Sequence, residues 1–192
     1  PQLTARPPGP RAPVRIVVDS EARLTPESIL AQTARETPVL IATTERAPAE
    51  RRTRLSDLGC EPLILPATKE GTVAPGPLLD QLGTRGMTNL LVEGGGKILG
   101  AFFDEGEVDT VEVYLAPILE GGDHRFTPLR GHGQDLMSRA LRLNGGTIRS
   151  VGGDLQIRAD VPNAWRLRIR DALGLPPESV GETVGFALVS DP

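Results

Sequence analysis

The stretch Asn89–Ala101, NLLVEGGGKILGA, decides how the rest of the chain is read. Asn89–Val92 is a short, continuous apolar run, as in a strand buried on both faces. Glu93 ends it, and Gly94, Gly95 and Gly96 follow at once. A helix is expected over Ile98–Glu105, stopped by Gly106. A strand that passes through glycines into a helix aims the helix's first N–H groups and its positive end at a place where no Cβ stands. Anions bind at such places. A tight turn needing small residues accounts for the same glycines. The spacing is not G-x-G-x-x-G, and no lysine–serine pair of the phosphate-loop kind is present.

Glu93 stands at the carboxyl end of the expected strand, where open α/β sheets gather their ligands. A carboxylate there can accept hydrogen bonds from a ligand or assist proton transfer. An acid favoured by the helix dipole is the plainer alternative.

Working outward, Arg15–Val18, Val39–Ala42 and Pro62–Leu65 are further short apolar strands. Helices are expected between them: a short one opened by Thr25-Pro26-Glu27, a charged one over residues 48–58 stopped by Gly59, and one over residues 77–85 stopped by Gly86. The pattern then changes. Thr110–Ala116 alternates as a strand does. Ala140–Leu143, Thr147–Val151 and Leu155–Ala159 follow, joined by the turns Asn144-Gly145-Gly146 and Gly152-Gly153-Asp154. The fold class is therefore α/β: a mixed sheet flanked by helices, with antiparallel hairpins at the C-terminal end. Trp165–Leu173 reads as a basic helix and Val184–Val189 as a further strand. Residues 1–161 are taken as one domain and 162–192 as an appendage of unknown role.

The 192 residues carry a net charge of −4, which opposes nucleic-acid binding because phosphates need a positive face. Arg46, Arg51, Arg52 and Arg54 are interrupted by Glu45 and Glu50 and read as a solvated helix face. Cys60, the one cysteine, reads as an incidental small residue. No apolar run approaches the ~18 residues of a membrane span, and a cytoplasmic setting is expected. His124 and His132 lack the companions of a metal site, so no metal is expected. Tyr114 and Trp165 read as packing residues. The chain opens on Pro1 in PQLTARPPGPRAP with no strand or helix before it, so a piece of a longer protein is expected.

The ordered set PQLTAR, RIVVDS, VLIATT, NLLVEGGGKILGAFFDEGEVDTVEVYLAPILEGG and GGDLQIRADV resembles the C-terminal reductase domain of bacterial riboflavin-biosynthesis proteins, over about residues 1–161. That family has a dihydrofolate-reductase-like fold. The resemblance implies reduction of 5-amino-6-(5-phosphoribosylamino)uracil by NADPH, with hydride delivered to the ribose C1′ carbon. It places Leu3, Arg6 and Glu93 on the substrate. It places Ser20 and the run Gly95, Gly96, Lys97, Ile98, Leu99, Gly100 and Ala101 on NADPH. Arg6 is a permanent cation suited to a substrate phosphate, although it reads equally as a surface arginine. Thr43, Thr44 and Arg46 follow a strand end and are candidates for the 2′-phosphate of NADPH. The zinc deaminase motifs that usually precede this domain, H-x-E and P-C-x-x-C, are absent, as are its opening strand and helix. An exposed strand edge is expected in consequence, with a homodimer and weak activity of the chain by itself. A related reductase of another pyrimidine or pterin, or an inactive nucleotide-binding fragment, are the alternatives.

Overall fold

The computed structural model describes residues 2–4, 9–10, 12–119, 127–162 and 187–190, the last group through its backbone. Arg6, His124 and the expected helix Trp165–Leu173 lie outside the described residues. The chain divides into two units, Pro1–Leu99 with Thr183–Pro192, and Gly100–Glu182.

The first unit is built on parallel strands. β1 is Arg15–Val18, β2 Val39–Thr43, β3 Glu61–Ile64 and β4 Leu91–Val92. A C-terminal strand, β8 at Ala187–Ser190, completes the order β3-β2-β1-β8-β4. Every neighbouring pair in this sheet is parallel. Part of the expected appendage is thus a strand of the sheet. Val17, Val39 and Ile41 project from one face into a core with Leu30, Ala31 and Leu55. Ile16, Leu40 and Ala42 alternate to the other face and are buried too. Burial on both faces is why these strands are continuous apolar runs rather than alternating ones.

The helices punctuate this sheet. α1, Ile29–Gln32, starts later than the Thr25-Pro26 signal indicated, because the Ser28 hydroxyl accepts the Ala31 N–H and provides the cap. α2 is Ala49–Asp57 and α3 is Pro75–Thr84, with proline in its first turn. Gly59 and Gly86 follow α2 and α3 at φ 98° and 74°, the left-handed conformation that closes a helix. α4, Gly96–Asp104, begins two residues before the expected start, so the third glycine is already helical.

Arg15 opens β1 and is 1% exposed. Its guanidinium donates to Thr33 Oγ1 at 2.8 Å, Thr33 O at 2.9 Å, Gln2 O at 3.4 Å and the Thr37 carbonyl. Arg15 thereby ties the end of α1 and the turn before β2 to the start of β1. Burial pushes the Arg15 pKa down, opposed by the nearby Cys60 and Glu36.

The second unit holds an antiparallel sheet, β5-β7-β6: β5 Thr110–Leu115, β6 Asn144–Val151 and β7 Asp154–Asp160. Val151 pairs with Asp154 across Gly152-Gly153, whose φ values are 60° and 97°. Two positive φ values in a two-residue loop make the hairpin turn that matches strand twist. Asn144-Gly145-Gly146 is not a turn. It lies inside β6, where the register shifts between Asn144 and Thr147, and Gly145 at φ 62° supplies the left-handed residue of that irregularity. The expected strand Ala140–Leu143 does not form. A single turn of 3-10 helix, Met137–Arg139, and extended chain occupy the segment.

Candidate active site

Because β1, β8 and β4 are parallel, their carboxyl ends share one edge. Leu188 aligns with Ile16 on one side and with Val92 on the other. Counting along the strands, Gly94–Gly96 leave β4 level with Val18–Ser20 leaving β1. The two loops are two strand spacings apart, about 10 Å. The edge therefore carries Ser20, then Glu93, then the glycines and the start of α4.

Glu93 is exposed and directly follows β4. A Cβ built on Gly95 would meet nothing within 4 Å. Packing within the protein gives no reason for glycine there, and its φ is not left-handed. What the missing side chain leaves is clear space over the first turn of α4, whose N–H groups have no intrahelical acceptors. An anionic group fits that space. Lys97 is exposed, and Leu99 and Ala101 are half-buried. Ile98 is 7% exposed, so only its backbone could meet a ligand.

Gly100 answers to a different demand. A Cβ there would lie 1.7 Å from the Arg130 carbonyl oxygen and 3.0 Å from the Gly131 nitrogen. The residue is glycine because another backbone passes against the helix. Asp104 fixes the same crossing, accepting the His132 N–H at 2.8 Å and lying 3.0 Å from its Nδ1. His132 is thereby a loop anchor. Among the described residues no three His, Cys, Asp or Glu side chains gather as metal ligands would.

Ser20 is half-buried, and its Oγ accepts the Val73 N–H at 3.1 Å. Its carbonyl accepts the hydroxyls of Thr43 at 3.2 Å and Thr44 at 2.9 Å. Those threonines are 0% and 1% exposed, which corrects their reading as phosphate contacts: the hydroxyls tie the end of β2 to the loop after β1. Arg46 stays near the surface, held by Glu21 at 3.1 Å and the Gly71 carbonyl at 3.4 Å. Leu3, at φ 50°, packs against the core cluster on the α1–α2 face. Its neighbour Gln2 reaches Arg15 at the amino end of β1. Ser20, Glu93 and the glycine turn are thus gathered at the carboxyl edge, and Leu3, half-buried, lies against the core.

Sequence reasoning passed over Asp19. It is fully buried and accepts the N–H groups of Leu24 at 2.7 Å and Glu21 at 3.3 Å. Ala22, at φ 52°, turns the same loop. An aspartate directly after a buried strand was the available signal, since such carboxylates commonly organise turns.

A parallel sheet that ends in a glycine turn and a helix start, followed by an antiparallel sheet, defines an α/β protein with an anion-receptive edge. The chain belongs to the family described as the RibD C-terminal domain, whose model matches residues 1–157. It is 33% identical over 155 residues to the riboflavin biosynthesis protein RibD of Actinobacillus pleuropneumoniae, covering 81% of this chain and 41% of that protein. It is 34% identical over 143 residues to the 2,5-diamino-6-ribosylamino-4(3H)-pyrimidinone 5′-phosphate reductase of Aquifex aeolicus, covering 74% and 62% respectively. Among solved structures, Acinetobacter baumannii RibD matches with a TM-score of 0.61 at 25% identity, over 78% of this chain and 38% of that one. The chain thus spans less than two thirds of the length of these relatives. The fold expectation holds as α/β elements followed by hairpins, with the parallel and antiparallel strands in two sheets rather than one.

Proposed function

We propose that this chain is the reductase part of a riboflavin-pathway enzyme. It binds NADPH along Gly95–Ala101 and reduces 5-amino-6-(5-phosphoribosylamino)uracil to the ribitylamino product. The observation that carries this is the open space over Gly95, level with the loop of Ser20 and beside Glu93, in a member of the RibD C-terminal family. NADPH supplies hydride, which with one proton converts the ring-opened imine at C1′ to the amine. The chain's part is to hold the pyrophosphate on the first-turn N–H groups of α4 and to orient the substrate. Glu93 accepts hydrogen bonds from the substrate at the strand end, and Arg6 contributes from the N-terminal segment, while Leu3 serves the packing of that segment on the core. Gly100 belongs to the motif for a packing reason and meets the cofactor only through its backbone.

A second substrate is favoured by one observation. The Aquifex aeolicus relative is named as reducing a diaminopyrimidinone ribosylphosphate, which differs at one exocyclic group of the ring. Loss of NADPH absorbance with each pyrimidine in turn tests both. Turnover of the aminouracil supports the first reading, and turnover of the diaminopyrimidinone alone replaces it with the second.

The reading places the protein in the cytoplasm, with small molecules rather than nucleic acid as partners. No helix among the described residues is long and apolar enough to cross a membrane. A homodimer is part of the same reading. Val113, Leu115 and Ile148 share one face of the antiparallel sheet and are 44%, 56% and 68% exposed, an apolar surface of the kind that association covers. Sedimentation of the purified chain at micromolar concentration tests it: a mass of two chains is expected, and a monomer contradicts it.

A further inference from the structure

The arginines of α2 do more than solvate a helix face. Arg51 and Arg54 line a cavity of about 240 Å³ together with Arg23, Leu24 and Thr25 of the loop that follows β1. Its lining holds three arginines and no acidic residue. The acids nearby are outside the lining. Glu27 pairs with Arg54 at 3.6 Å, with both side chains well exposed. Glu21 meets Arg51 only through its backbone carbonyl, at 3.4 Å, and its carboxylate is turned to Arg46. Glu50 precedes Arg51 in the first turn of the helix. A guanidinium has five N–H donors, so one bond at Arg51 leaves capacity for an oxyanion. The positive end of α2 adds to the field.

The wall opposite α2 is fixed in advance. Asp19 holds the Glu21 and Leu24 amides, and Ala22 sits buried in the left-handed region at φ 52°. Such a conformation in an alanine persists only where its surroundings enforce it. Its effect is to set Arg23 and Leu24 along the cavity. The cavity therefore begins two residues beyond Ser20 and opens between the loop leaving the carboxyl end of β1 and helix α2.

We propose that this cavity binds a dianionic phosphomonoester, namely the 2′-phosphate of NADPH, and so sets the preference for NADPH over NADH. The proposal rests on the cofactor reading above and names the part of the protein that selects the cofactor. A bidentate arginine suits a phosphate carrying two charges, and NADH offers the pocket only neutral hydroxyls.

The experiment measures dissociation constants for NADPH, NADH, adenosine 2′-phosphate and inorganic phosphate on the wild-type chain, on R51Q/R54Q and on R52Q. Arg52 lies on the same helix outside the cavity lining and controls for a general loss of positive charge. The double variant is expected to bind NADPH and adenosine 2′-phosphate about 10- to 150-fold more weakly, as loss of charged hydrogen bonds implies, with NADH unchanged. R52Q should match the wild type. Thermal unfolding of each variant confirms folding, and Arg23→Gln provides an independent change on the opposite wall. Tight NADPH binding with an unaltered NADPH-to-NADH ratio in R51Q/R54Q overturns the proposal and leaves the cofactor reading standing. Equal weakening by R52Q overturns it too. If inorganic phosphate binding falls in the double variant but the ratio holds, the assignment to the 2′-phosphate is wrong. If the wild type binds neither dinucleotide, the cofactor reading fails. Arginine-dependent binding of adenosine 2′-phosphate would then still support the pocket.

Discussion

Replacing Gly95 by valine and Gly100 by alanine separates two demands that one glycine-rich motif conceals. At Gly100 the new Cβ would stand 1.7 Å from the Arg130 oxygen and 2.3 Å from the carbonyl carbon. The obstacle is backbone, so either the helix or the 130–131 segment must move by more than an ångström. Alanine gains about 1 kcal/mol over glycine in helix propensity, and overpacking of this kind costs about 1–3 kcal/mol or more. The clash should win, with net destabilisation of up to about 2 kcal/mol. At Gly95 nothing lies within 4 Å, and the backbone is not left-handed. Stability there should change by no more than about 0.5 kcal/mol. Valine would instead fill the space over the first turn of α4. Losing one charged hydrogen bond to the pyrophosphate costs about 1.5–3 kcal/mol, a roughly 10- to 150-fold weaker Kd. Urea unfolding and NADPH calorimetry on both variants give the two quantities separately. If Gly95→Val loses stability while retaining NADPH affinity, the glycine is there for the fold and the reasoning is refuted.

Glu93→Gln should lower kcat/KM about 10- to 150-fold through weaker acceptance of substrate hydrogen bonds, with NADPH affinity unchanged; collapse of NADPH affinity alone would reverse the role assigned to it. Arg15→Met should destabilise the chain by about 2–4 kcal/mol in urea unfolding, because Thr33 Oγ1 and the Thr33 and Thr37 carbonyls each lose a charged donor, less the relief of burying a charge; an unchanged midpoint would show that the buried cation holds nothing. Burial raises the Cys60 pKa above the ordinary 9.0, opposed by Arg15. The folded state then retains its proton where the unfolded state has released it, so this group's contribution to stability falls as pH rises through about 9 and above. A Cys60→Ala variant should lose less stability than the wild type across that range, and identical pH profiles would contradict the sign.

The parallel half was legible because burial on both faces writes a signal that needs no partner to interpret. RIVV at residues 15–18 and VLIA at residues 39–42 could hardly be anything but buried strands. The hairpin half was less so. Asn144-Gly145-Gly146 carries turn chemistry, yet Gly145 uses its positive φ inside a strand, and only the pairing with β7 distinguishes the two. Glu93 and Gly95 could be found because the motif is contiguous. The cavity at Arg23, Arg51 and Arg54 could not, since its meaning depends on a loop and a helix 25 or more residues apart converging. The threonines at residues 43 and 44 show the converse error. Polar residues at a strand end look available until the Ser20 carbonyl is seen to occupy both hydroxyls.

The most direct test of the account is the rate of NADPH consumption with 5-amino-6-(5-phosphoribosylamino)uracil, followed by loss of NADPH absorbance and by chromatography of the product. It is run on this chain and, where the gene encodes residues ahead of Pro1, on the longer protein. The account predicts one NADPH oxidised for each ribitylamino product formed, with the longer protein the faster of the two by about 100-fold or more if positioning of the nicotinamide depends on the preceding segment. NADPH that binds to neither form, or that is never consumed with this or the related diaminopyrimidinone, would contradict it.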